Sequence, residues 1–413
     1  MSLHPVLDRL FETWERAGVR WCLLRSDDLA APEGDIDLLV APASLEAARQ
    51  AAIELGFVQL PGRHQGTHLL LYDKASDRWL WLHAVGELTF GPWRALPTGA
   101  ADGCLARRLT VPVPRLDPGD EFWVSLLHGF LDRGTLPAGR RDDLRRLSQS
   151  ASAEGELPST LAPVLPPGWT PARVIAAVAA DDWNGIDGLA RIVVRRATEA
   201  ARPALPRRVV RAVGRIPKRV AGWQGRRGVS VALLGPDGAG KSTLALGLRS
   251  SFVFPVREVY MGLTGGMLRY VDKLRIPGVV RVGRLAVIWA RYLRAQYHVA
   301  RGRLVVFDRY IYDADVPPPY ALGPIGRFTR WMDGRACPGP DIVVVLDAPG
   351  AVMHERKGEY DPQTLEHWRG RFLALQRRVP GLEVVDTTAG ADAVRRDVID
   401  RLWRRYADRW RVA

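Results

Sequence analysis

"ALLGPDGAGKST" (232–243) starts as an apolar run, turns on three glycines and reaches a lysine, in a chain with only 5 lysines among its 59 basic residues. Gly235, Gly240, Lys241 and Ser242 stand in the spacing G-x-x-x-x-G-K-[ST]. A strand-like run, "VSVALLG" (229–235), precedes the loop and a helical stretch, "STLALGLRS" (242–250), follows it, which is the context such a loop requires. The residue types are those that a chain of phosphates demands. Gly235, Gly238 and Gly240 let successive backbone N–H groups point inward at phosphate oxygens. The helix N-terminus adds a favourable dipole, and Thr243 lies in its first turn. Lys241 is placed to reach β- and γ-phosphates, and the Ser242 hydroxyl to bind Mg²⁺. ATP and Mg²⁺ are therefore the expected ligands. The bland alternative is a tight glycine-rich turn between strand and helix.

Outward from the loop, "REVYMG", "RLVVFD", "DIVVVLD" and "LEVVDT" are further apolar runs separated by helical stretches. That pattern predicts an α/β domain over 229–413, a parallel sheet with crossover helices. "GRLVVFDRYIYDAD" (302–315) ends one of these runs in Asp308-Arg309. Phosphoryl transfer needs cations on the transferring oxygens and a carboxylate to anchor the metal, so Asp308 and Arg309 are candidates for those roles. Taken alone, the pair reads equally as an ion pair at a strand end.

With Asp237 inside the loop, D-R-Y at 308–310, and "DIVVVLDAPGAVMHERKGEYDPQTLEHWRGRF" at 341–372, the region 229–413 resembles the thymidylate kinase family. The resemblance implies a P-loop kinase fold with ATP, Mg²⁺ and a small-molecule acceptor as its ligands. It implies that Asp237 contacts a sugar hydroxyl of the acceptor. Asp308 would support the metal or the acceptor, and Arg309 would clamp an acceptor phosphate. In the lid segment it points to Arg356 and Lys357 as groups closing over ATP, with Glu359, Arg369 and Arg371 as further candidates; any one of these also reads as part of a solvated helix face. The family's R-E-P-G-G-T-like stretch is replaced by "YMGLTGGMLRYVDKLR", and its thymine-holding serine and glutamine by "IYDADVPPPYALGP". Thymidylate is therefore not the expected acceptor. The pattern D-R-Y-x-x-D looks more like the thymidylate-kinase-like proteins of bacterial polysaccharide and secondary-metabolite clusters.

Residues 1–115 mix strand and helix signals and predict an α+β domain. "GDIDLLV" (34–40) puts Asp35 and Asp37 on one face of a strand, since side chains alternate, so the two can share a divalent metal. This resembles the D-x-D of the nucleotidyltransferase superfamily. Arg25-Ser26 stands where that family has a Gly-Ser turn, and Trp81 and His83 where it has a third carboxylate. Three readings stay open: an active nucleotidyltransferase, a degenerate recognition or scaffold domain, and two surface aspartates on an edge strand. A helical connector is expected over 116–200, with "DEFWVSLLHGFLDRG" (120–134) as an Asp-capped helix and "SASAEGELPSTLAPVLPPG" (150–168) as a loop between helices. A basic linker follows at 201–228. Its segment 207–223 reads first as a plain tether and second as a helix lying on an anionic membrane surface.

Composition narrows the partners. The net charge is +14, but no nucleic-acid recognition module accompanies it, and 54 arginines beside 5 lysines is what a GC-rich coding sequence produces. Nucleic acid is not an expected partner. Cys22, Cys104 and Cys337 lie far apart and in no metal-binding spacing, which suggests a reducing, cytoplasmic setting. No run of eighteen apolar residues occurs, and the N-terminus reads as an amphipathic helix, not a leader peptide. Oligomeric state has no signature.

Overall fold

The computed structural model describes residues 3–25, 28–60, 66–91, 96–134, 136–200, 228–263, 268, 270, 277–316 and 323–411. The basic linker expected at 201–228 lies outside the described residues except for Gly228, and so does the surface helix suggested for 207–223. The chain divides into two compact units: Met1–Leu71 with Trp79–Ile216, and Tyr72–Arg78 with Pro217–Ala413.

The first unit is built on a five-stranded sheet of β1 (Trp21–Leu23), β2 (Asp35–Val40), β3 (Val58–Leu60), β4 (Thr67–Asp73) and β5 (Arg78–Val85), in the order β1-β2-β5-β4-β3. β2 pairs antiparallel with β1 and parallel with β5. Alternation along β2 decides what each face does. Ile36, Leu38 and Val40 enter a core with Leu10 and Trp14 of α1 (Pro5–Arg16) and Ala48 of α2 (Leu45–Glu54). Leu39 enters a second core, which it shares with helices between residues 101 and 200. Asp35 and Asp37 have the parity of Leu39 and so belong to this second, helix-covered face.

The region read as a helical connector is helical: α3 (Ala101–Arg107), α4 (Pro118–Leu127), α5 (Ala138–Leu147), α6 (Glu156–Leu161), α7 (Pro171–Ala179) and α8 (Trp183–Ala200). Its apolar residues form one core with Cys22, Leu24, Leu39 and Val85 of the sheet side. Two local expectations need correction. The helix of 118–127 is capped by Asp117, whose side chain accepts from the Gly119 N–H, and not by Asp120. It then widens into a π-helical turn, His128–Arg133, closed by left-handed Gly134. The segment 150–168 is not a plain loop but contains α6 and a 3₁₀ turn, because Leu157, Leu161 and Val164 are buried at helical spacing.

The second unit is a mixed α/β body around a fully parallel sheet: β8 (Ser230–Leu234), β9 (Val256–Tyr260), β10 (Leu304–Asp308), β11 (Ile342–Asp347) and β12 (Leu382–Asp386), in the order β12-β11-β8-β10-β9. (A short hairpin, β6 Thr89–Phe90 with β7 Leu96–Pro97, completes the strands of the first unit.) All five residues of β8 are buried, as expected of a central parallel strand covered on both faces. The crossovers are α9 (Lys241–Ser251), α10 (Pro277–Ala300) and α11 (Pro324–Asp333); α12 (Gly350–Lys357) and α13 (Pro362–Ala374) follow β11, and α14 (Ala391–Arg411) closes the chain. The charged segment after 357 is thus a second helix, started by Asp361, whose side chain accepts from the Thr364 N–H. No helix of the described residues is long and apolar enough to cross a membrane.

Trp14 tests the first core. It is fully buried, its Nε1–H donates to the Ala48 carbonyl at 3.0 Å, and it meets Trp21 edge to face at 5.3 Å. Trp14→Ala should destabilise the first unit by about 3–5 kcal/mol in urea unfolding followed by circular dichroism, and Trp14→Phe by clearly less. A loss under about 1 kcal/mol in the alanine variant would remove Trp14 from the core's supports.

Candidate functional site

The loop 235–240 leaves the carboxyl end of the central strand β8, where ligand sites of open α/β sheets form. Gly235, Gly238 and Gly240 have φ of 140°, 85° and 98°, so all three lie in the region that favours glycine. At two of them space is also closed: an added Cβ would sit 2.8 Å from the Leu346 carbonyl oxygen at Gly235 and 2.4 Å from that of Met353 at Gly238. The loop is therefore seated against β11 and α12. Lys241 opens α9 and is buried, and its ammonium donates to the Gly235 and Pro236 carbonyls, each at 2.8 Å. Burial above all, and then Arg309, push its pKa down to about 8, against the pull of Asp237, Asp313 and Asp308. Ser242 and Thr243 are exposed in the first turn of the helix, and Asp308 is half-buried at the end of β10, beside β8. Inward-facing glycines, a buried ammonium, an exposed hydroxyl and a nearby carboxylate are a donor set that fits a triphosphate with Mg²⁺.

Arg309 follows β10 in a left-handed conformation, φ 62°. Such a backbone costs a non-glycine residue roughly 1–3 kcal/mol and persists only where the surroundings over-determine it. Here they do. Its Nη2 donates to Asp237 Oδ1 at 3.1 Å, and its Nη1 lies 3.5 Å from Asp313 Oδ2. Burial opposes the Arg309 charge, but Asp313 and Asp237 outweigh it and its pKa is raised. Burial pushes the Asp313 carboxyl up, against Arg309 and Lys241. The structure thus brings Asp237, Lys241, Arg309 and Asp308 together, and it adds Asp313. The sequence displays Asp313 as the last residue of D-R-Y-x-x-D, and the short 3₁₀ turn Ile311–Asp315 that follows Arg309 brings its carboxylate back to the guanidinium.

The lid candidates separate. Lys357 lies 3.8 Å from Asp237 Oδ1 and 3.1 Å from Glu359, so both belong to the loop's surroundings. Arg356 instead donates to the Thr387 hydroxyl and carbonyl at 3.2 and 2.8 Å. Arg369 is held by both oxygens of Asp347 and by Glu366. Arg371 is exposed on α13.

In the first unit, Asp35, Asp37 and His83 offer ligand atoms within 4.8 Å of one another, a set whose chemistry fits a divalent cation. Asp37 is already engaged there: Arg25 is paired with its Oδ2, and His83 Nδ1 lies 2.8 Å from its Oδ1. His68 stacks on His83 at 4.3 Å and accepts from Trp81 Nε1–H at 3.2 Å. Arg25, Asp35, Asp37, His68 and His83 line a cavity of about 340 Å³, whose helical wall carries His128 and Asp132 of the π-turn. From the sequence, Asp35 and Asp37 stand out as possible ligands and His83 only as a residue in place of a third carboxylate; the cavity is not legible there, since residues 24 to 147 converge to form it.

No family model matches the sequence, and no curated protein matches it. Among solved structures, thymidylate kinase from Candida albicans is similar at 18% identity and a TM-score of 0.36, over 44% of this chain and 93% of that one.

The lowered pKa of Lys241 would make triphosphate binding at this loop depend on pH. The ammonium predominates below about pH 8 and is lost as pH rises through that value. Affinity for a nucleoside triphosphate should fall between about pH 7 and about pH 9, with proton uptake on binding, as calorimetry in buffers of different ionisation heat would read. Lys241→Arg stays charged and should flatten the profile. A flat profile for the unaltered protein would mean that this ammonium does not meet the phosphates.

Proposed function

We propose that residues 229–413 form an ATP- and Mg²⁺-dependent phosphotransferase acting on a small-molecule acceptor. One observation carries the reading: Arg309, from the end of the neighbouring strand, is aimed at Asp237 inside the phosphate loop. Binding ATP requires neither group, because loop amides, Lys241 and a metal satisfy a triphosphate. Placing a second reactant requires both, since positioning and charge stabilisation supply most of the rate in phosphoryl transfer.

In this reading the loop N–H groups and Lys241 hold the β- and γ-phosphates, with Gly235, Gly238 and Gly240 giving the backbone its curvature. Mg²⁺, held by Ser242 and Asp308, would neutralise charge on the phosphate oxygens when bound. Asp237 and Arg309 orient the acceptor. Lys357 stands over the same place from α12. Arg356 supports the site by tying α12 to Thr387, which follows β12.

A second reading is favoured by the Asp35, Asp37 and His83 cluster and its cavity: nucleotidyl transfer in the first unit, with the phosphate loop in an accessory role. A module that binds ATP without turnover is the third.

Kinetics and binding separate the three. Lys241→Ala should lower ATP-dependent turnover by at least about a hundredfold, roughly 2.7 kcal/mol, with its melting temperature retained. Asp237→Asn and Arg309→Ala should leave ATP affinity within about threefold while costing a similar hundredfold in acceptor-dependent ADP release. Parallel loss of ATP binding and turnover would assign both residues to the nucleotide. Asp35→Asn with Asp37→Asn should leave ADP release intact; its complete loss in a normally folded variant would favour the second reading. Thymidylate should be a poor acceptor, so efficient conversion at micromolar concentration would count against the acceptor assignment drawn from 260–275 and 311–324.

A further inference from the structure

Charge around Asp237 determines which acceptors can enter. Among the described residues, Lys241, Arg309, Lys357 and Arg330 supply four cations, the last of them spent on backbone carbonyls of the Asp313 turn, and Asp237, Asp308, Asp313 and Glu359 supply four carboxylates. Lys357 is matched by Glu359 at 3.1 Å, and Lys241 belongs to the nucleotide side of the loop. Among the described residues, Arg309 is then the cation placed to meet a phosphate-bearing acceptor, and it is held by Asp237 at 3.1 Å and by Asp313 at 3.5 Å.

This clamp is fixed in place. Asp313 is only 15% exposed, and its Oδ1 is buried with no hydrogen-bond partner among the described residues. The backbone of its turn is pinned from α11: Arg330 donates to the Asp313, Ala314 and Val316 carbonyls at 2.7, 3.2 and 2.7 Å. The left-handed backbone of Arg309 aims the guanidinium between the two carboxylates. A phosphate dianion placed on Arg309 would sit beside these two carboxylates and the nucleotide's own charge, which like-charge repulsion disfavours. An uncharged hydroxyl meets no such barrier, since it can donate to a carboxylate while its oxygen lies against the guanidinium.

We propose that the site accepts an uncharged hydroxyl, of the polyol or sugar class, and rejects phosphomonoester acceptors; this rests on the phosphoryl-transfer reading above. The acceptor oxygen bonds to the γ-phosphorus, the bond from phosphorus to the β,γ-bridging oxygen breaks, and ADP leaves with that electron pair. The hydroxyl proton passes to a wall carboxylate and on to water. Asp313 is a positioning residue, acting through Arg309.

The test uses the full chain saturated with Mg²⁺ and a non-hydrolysable ATP analogue, so that the phosphate loop is filled. Inorganic phosphate then serves as the probe, read by calorimetry. No saturable binding is expected below about 10 mM, and Asp313→Asn should bring its Kd at least about tenfold lower by freeing Arg309, an effect that Arg309→Ala in the same background removes. Phosphate binding to the unaltered protein below about 1 mM, abolished by Arg309→Ala, overturns the inference alone. ADP release is measured in parallel with matched pairs, each a sugar, polyol or nucleoside beside its monophosphate. Turnover is expected only with unphosphorylated members. Turnover with a monophosphate overturns the inference, and ADP release with no member of any pair overturns it together with the phosphoryl-transfer reading.

Discussion

A lysine ammonium buried at the carboxyl end of a parallel sheet is the constraint around which the second unit is organised. Burial lowers the pKa of Lys241, the carboxylates of Asp237, Asp313 and Asp308 pull it back up, and two backbone carbonyls accept from its ammonium. The carbonyls belong to Gly235 and Pro236, so the loop must curl back over its own helix, and that curl needs glycine backbones. The curl needs support too: Gly235 and Gly238 rest against the carbonyls of Leu346 and Met353, which leaves no room for a side chain at either. β11 and α12 are thus part of the loop's foundation. The carboxylates bring their own requirements, chiefly Arg309 in a strained backbone between Asp237 and Asp313. The buried ammonium, the crowded glycines and the left-handed Arg309 thus meet at one end of the sheet.

The first unit follows a different rule, alternation along β2. Because side chains alternate, one strand contributes Ile36, Leu38 and Val40 to the core under α1 and α2, and presents Asp35, Asp37 and Leu39 to the side under the later helices. The same period that buries three aliphatic residues puts two carboxylates beside a cavity. There Arg25 and His83 engage Asp37, as two polar partners must where a carboxylate side chain is only 18% exposed.

The strands show how far local sequence information reaches. "DIDLLV" is β2 to the residue, and "VSVALLG", "RLVVFD", "DIVVVLD" and "LEVVDT" each contain their strand within one residue of either end. These runs are short, apolar and flanked by turn residues, so no helix competes for them. The segment 150–168 misleads because its prolines and small residues suggest a loop, whereas burial of Leu157, Leu161 and Val164 draws it into helical turns. The π-turn after α4 is equally hidden: "LLHGFLDRG" carries ordinary helical spacing, and on that turn Asp132 accepts from the distant Gly91 N–H and meets His128.

What the sequence determines by itself is whatever depends on neighbours along the chain: the glycine turn between strand and helix that ends in Lys241, the strand runs, and the pairing of Asp35 with Asp37 on one face. Those features rest on backbone conformation and on periods of two and 3.6 residues, which a linear string records directly. Tertiary structure alone decides which side chains from distant segments share a site. It separates Lys357, which reaches Asp237, from its neighbour Arg356, which reaches Thr387. It gives Asp313 a role by placing Arg309 between two carboxylates 76 residues apart in the chain. The reason is physical: the charge a buried group tolerates is set by what surrounds it in space, and sequence order carries that only where the chain happens to fold back on itself.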